Sequence, residues 1–151
     1  MKIAEALAER GDCQRRIEDL KKRLGRCARV QEGEQPAEDP TELLQEVDRV
    51  FSRLIDLVKS INRTNANTSF DGHKTVSDAI AERDAAGKRR DLLSQVAEAA
   101  GTRQDRYSKS EVKFVATVPV GELRKQIDQL SKEFRELDTR IQELNWKTEI
   151  V

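Results

Sequence analysis

The sequence predicts a mainly α protein, a four-helix antiparallel bundle of long, coiled-coil-like helices with a small β-hairpin or strand element, all in one domain over residues 1–151. Two observations carry this. First, Val120, Leu123, Ile127, Leu130, Phe134, Leu137, Ile141 and Leu144 are separated by gaps of three and four only, so they lie along one narrow stripe of a helix. At a rise of about 1.5 Å per residue that helix is roughly 37 Å long and needs a partner helix, from this chain or another copy. Second, 37% of residues are charged and only 4% aromatic, a mixture typical of long helices laced with ion pairs.

The first helix is expected over about 2–29. Ile3, Leu7, Cys13, Ile17, Leu20, Leu24 and Cys27 recur at helical spacing, with a slip near Arg10 and Gly11. Its outward positions hold Arg15, Arg16, Lys21, Lys22, Arg23, Arg26 and Arg29. Such a run can meet phosphate or an acidic protein surface, but a solvated face, or pairing with the acidic segment that follows, is the simpler reading. That segment, residues 31–46, carries Glu32, Glu34, Glu38, Asp39, Glu42 and Glu46 without a Lys or Arg, and holds Pro36 and Pro40. Its first ten residues are expected as loop. The carboxylates lack the regular ligand spacing and turn glycine of an EF-hand, so no metal site is assigned.

The second helix is expected over about 41–62, capped by Thr41. Leu43, Leu44, Val47, Val50, Phe51, Leu54, Leu57, Val58 and Ile61 make its apolar face wide, as suits a helix touching more than one neighbour. Residues 62–75 turn polar, with Asp71-Gly72 between short runs. That dipeptide favours a type I′ turn, predicting a hairpin with one strand at about 67–75. Thr75 with Asp78 three positions later predicts the start of a third helix, running to about 100 and stopped at Gly101. Val112, Phe114, Ala116 and Val118 alternate with Lys113, Val115 and Thr117, which predicts a strand over 111–118. Pro119 suits the first turn of a fourth helix at about 119–146.

The residue inventory excludes much chemistry. His73 is the sole histidine, so the paired Glu-x-x-His of a di-iron bundle is missing, zinc ligands are too few, and a Ser-His-Asp triad has only a turn-flanking imidazole to draw on. There is no GxGxxG and no P-loop. No catalytic residue, cofactor or metal ligand is assigned. Cys13 and Cys27 stand 14 positions apart, about 21 Å along one helix, beyond disulfide reach. One polar cluster is a candidate for a small anion: Asn62, Arg63, Asn65, Arg103, Asp105, Arg106 and Tyr107, if the segments after the second and third helices converge. Hydrogen bonding that ties loop to bundle is the competing reading.

The 28 basic and 28 acidic residues cancel, and the aromatics are too isolated to interleave with basic residues, so nucleic acid is not an expected partner. Charges at Lys2, Glu5, Glu9 and Arg10 interrupt any signal-like apolar run, and no segment has the roughly 18 apolar residues of a membrane span. A soluble, cytoplasmic protein is expected. The expected partner is a second copy, in a homo-oligomer that a ring-like form would also satisfy, assembled through Leu123, Ile127, Leu130, Phe134, Leu137, Ile141 and Leu144.

Four stretches are more specific than helical composition demands: VQEGEQPAEDP at 30–40, INRTN at 61–65, RQDRYSKSEVKFV at 103–115 and RELDTRIQELNWKTE at 135–149. Together they resemble the septicolysin-like family of small bacterial proteins, over nearly the whole chain. The resemblance implies a fold and a tendency to homo-oligomerise, and supplies no catalytic residues. Its name implies a cytolysin, whereas the one clear strand expected here is about eight residues, short of the 9 to 11 of a membrane barrel.

Overall fold

A computed structural model describes residues 1–101 and 112–151. It is mainly helical, with α1 at Ile3–Cys27, α2 at Pro40–Asn67, α3 at Val76–Ala100 and α4 at Val120–Lys147. Two compact units are distinguished, Met1–Ser69 with Gln142–Val151, and Phe70–Ile141.

In the first unit α1 runs unbroken through Arg10 and Gly11. One helical glycine costs only about 1 kcal/mol against alanine, and the packing along the helix outweighs it. Ala6, Leu57 and Ile61 form a buried cluster, with Leu7, Cys13 and Ile150 packed against it. Ion pairs between α1 and α2 run in opposite order along the two helices: Glu9 with Arg53, then Arg16 with Glu46. The two helices are therefore antiparallel. The chain ends are joined as well, since Ile3 N–H donates to the Thr148 carbonyl and Ile150 N–H to that of Met1, both at 2.9 Å.

Two expectations for α2 are corrected. The cap is Asp39, whose carboxylate accepts from Thr41 N–H at 2.9 Å, because Pro40 has the fixed φ that suits the first helical position and pushes the start one residue earlier. The helix also continues to Asn67 instead of ending near Asn62. Its last turns satisfy themselves locally: Thr64 Oγ1 donates to the Ser60 carbonyl at 2.8 Å and Thr68 Oγ1 to that of Thr64 at 2.7 Å.

In the second unit Thr75 caps α3, accepting from Asp78 N–H while Asp78 accepts from Thr75 N–H at 2.8 Å. Arg83 reaches Asp138 at 2.8 Å, and Gly87, one turn further along α3, faces Phe134, one turn earlier on α4. That order makes α3 and the facing part of α4 antiparallel.

The expected β element is absent from the described residues, where only isolated bridge positions occur. A type I′ turn needs positive φ at both central residues, yet only Gly72 has it, at 89°. Asp71 instead folds back on its own loop, its Oδ1 accepting from the N–H groups of His73 at 3.0 Å and Lys74 at 3.1 Å. This is the local side-chain bonding by which Asp competes with a ladder. Over 112–118 the alternating pattern has no strand beside it among the described residues and the backbone is irregular, with Phe114 and Val115 exposed. Residue 111, the first of that expected strand, lies outside the described residues.

Candidate functional site

The polar cluster expected after the second helix is not built as the sequence suggested. Asn62 and Arg63 are exposed on α2 itself, and Asn65 is buried there. Arg103, Asp105, Arg106 and Tyr107 lie outside the described residues. Thr64, which the sequence did not single out, is the residue with a structural task. It is buried, and its Oγ1 accepts from Val151 N–H at 3.0 Å, holding the C-terminal segment against α2. Asn65 Oδ1 is buried without a protein partner.

Several of the charged residues pair with one another. Arg53 grips Glu9 with two bonds, Nε at 2.6 Å and a terminal nitrogen at 2.8 Å. Arg23 binds Glu38, at 3.1 Å from Nε, and also Asp19 at 3.3 Å. Arg16 and Arg49 share Glu46, and Arg15 pairs with Asp12. Arg15, Arg16 and Arg23 of the basic run on α1 are thus paired, two of them with the acidic segment that follows. At the chain ends the ammonium of Met1 and the Lys2 side chain both bind Glu149, at 2.8 and 2.7 Å.

These pairings set the titration of the carboxylates. Hydrogen bonds from Arg53, Arg23 and Arg49 respectively hold Glu9, Glu38 and Glu46 below the usual range. Backbone donors do the same for Asp71 and Asp78, and Lys2 with the N-terminal ammonium lowers Glu149 to about 2. All six of these carboxylates are shifted toward the anion. A general acid at neutral pH needs the opposite displacement.

Two of the clefts are open and mixed in charge. A cleft of about 440 Å³ in the second unit is lined by Ser94, Glu98, Arg124, Ile127 and Asp128, and a smaller one of about 240 Å³ by residues that include Ala86, Arg89 and Leu130. Among the described residues no group of three or more His, Cys, Asp and Glu is placed to hold a metal ion. His73 is exposed beside its turn, and both cysteines are free thiols, Cys27 buried and Cys13 half-buried.

The seven α4 residues assigned to assembly are buried or half-buried in the single chain. Leu130 and Ile141 are in the core, and Leu123, Ile127, Phe134, Leu137 and Leu144 are partly covered. Uncovered apolar side chains are found elsewhere: Leu44, Phe51 and Ile55 on α2, Leu92 on α3 and Trp146 at the end of α4, all more than two-fifths exposed. The amphipathic period that revealed α2 could have located its three, because they occupy the outer edge of an apolar face too wide for one neighbour.

The described residues make a mainly helical protein that leaves large apolar side chains exposed on α2, α3 and α4. No described helix is long and apolar enough to cross a membrane. The chain belongs to a family of unknown function, DUF6847, whose model matches residues 10–150. It is similar to a functionally unknown conserved protein from Corynebacterium diphtheriae whose crystal structure is known, at 50% identity and a TM-score of 0.94, covering 100% of this chain and 99% of that one. No curated protein matches it.

Proposed function

We propose that this is a non-catalytic interaction protein that works as a homo-oligomer, in keeping with its resemblance to septicolysin-like proteins. The observation that carries the reading is the disposition of apolar surface: Leu44, Phe51, Ile55, Leu92 and Trp146 stand 43–67% exposed on helices whose other faces are packed. Single exposed apolar residues are ordinary on a soluble protein, whereas several on helix faces favour association.

Sedimentation of the purified protein, run beside a dye-release assay on phosphatidylcholine–phosphatidylglycerol vesicles, tests the proposal. An oligomer that leaves vesicles intact is the expected result. Dye release at micromolar protein would replace it with the membrane-active reading that the name of the septicolysin-like family implies.

A further inference from the structure

Leu44, Phe51 and Ile55 are separated by seven and four residues, which brings them within about 40° of one another around the helix axis. They form an apolar row on α2, 55%, 43% and 49% exposed respectively. The ion pairs from α2 to α1 leave from Glu46 and Arg53, positions more than 100° round the helix from this row. The row is consequently separate from the α1 contact.

Beside the row run two charges of opposite sign. Asp48 and Lys59 are eleven residues apart, three turns, and so share one flank. Both are exposed, and neither forms an ion pair among the described residues. The midpoint of Phe51 and Ile55 falls at position 53, and that of Asp48 and Lys59 between 53 and 54. Two-fold symmetry places the same surface on both partners. An antiparallel copy of α2 centred there therefore lays Phe51 on Ile55 of its mate, and meets each Asp48 with a Lys59, in two equivalent pairs. The other polar residues on this flank are Thr41, Gln45, Ser52, Asn62 and Arg63, and Arg63, the one charge among them, falls beside Leu44 of the mate, so no like charges are brought together. The match is built into one helix.

We infer that α2 is a self-docking surface, with the occupant a second copy of this chain in antiparallel register about residue 53. The inference rests on the self-association reading above and specifies the face and the geometry. Three exposed apolar side chains per protomer bury less than a standard interface of about 1,600 Å², so the dimer is weak and concentration-dependent. The charge pairs act chiefly to select the register and the direction.

The test is a charge-reversal cycle read by sedimentation equilibrium on the whole chain, with helicity checked by circular dichroism. Asp48→Lys and Lys59→Asp each replace two attractions by two repulsions and are expected to weaken dimerisation by about tenfold, while the double reversal restores it to within about threefold. Ile55→Ser, at an exposed position, weakens it without loss of helix. A wild type that dimerises, with a dissociation constant indifferent to all of these, overturns the α2 assignment and leaves self-association standing through another face. A wild type that is monomeric throughout overturns both.

Discussion

The ring of Phe134 closes over Gly87 so tightly that a Cβ placed on the glycine would lie 3.1 Å from two ring carbons, with Arg90 stacked 5.1 Å from the ring centre. A helix interior normally gains about 1 kcal/mol when glycine becomes alanine. Here the added methyl overpacks a ring already held by Arg90, at a cost of about 1–3 kcal/mol. We expect Gly87→Ala to lower stability by about 1 kcal/mol net, and the same substitution to raise it in a Phe134→Ala background, where the ring is gone. Denaturant unfolding of the four proteins checks the reversal of sign.

Glu149 binds Lys2 and the N-terminal ammonium, which lowers its carboxyl from 4.5 to about 2. A carboxylate with a depressed folded-state value contributes stability above its unfolded value and loses it as pH falls through the folded one. The melting temperature of Glu149→Gln should lie below that of the wild type at neutral pH. The gap should begin to narrow near pH 4.5 and close only as the pH falls through about 2. A gap independent of pH would mean that the ion pairs contribute nothing.

At the loop before α3, Gly72 holds a φ of 89° with open space around it. Any loss from substitution there comes from the backbone alone. Gly72→Val should cost about 1–2 kcal/mol, the strain of a β-branched residue at positive φ. Asp71→Ala should also destabilise, by removing the acceptor for His73 and Lys74, and thermal melts of both variants measure the loop's contribution.

The helices were legible because periodicity records burial: the alternating gaps of α4 correspond to Leu130 and Ile141 in the core and Phe134 against Gly87. Thr75 and Asp78 announced the start of α3 for the same local reason. Polarity misled at 62–67, where Asn, Arg and Thr read as loop although Thr64 and Asn65 are buried in the last turns of α2. Helix propensity is too weak a signal there to predict an extension that tertiary packing stabilises. Asp-Gly was legible as a turn but not as a turn type, because the choice depended on the bonds Asp71 makes two and three residues ahead. The candidate anion cluster assumed that α2 ended before Asn62, so the extension of the helix removed half of its premise.

The α4 stripe and the α2 row should respond differently to mutation. Leu137 is half-buried within one chain, so Leu137→Ala should lower stability by roughly 1–3 kcal/mol, below the full-burial range, and leave the molecular mass unchanged. Phe51→Ser should change the mass at a given concentration and barely alter the stability of the dissociated chain. Unfolding and sedimentation on the same two variants separate packing from assembly.

Self-association is tested most directly by sedimentation equilibrium of the wild type from about 1 to 300 μM, a range suited to a weak interface. The expected result is a weight-average mass that climbs with concentration from the 17.2 kDa of one chain toward twice that value. A mass fixed at 17.2 kDa over the whole range would contradict it.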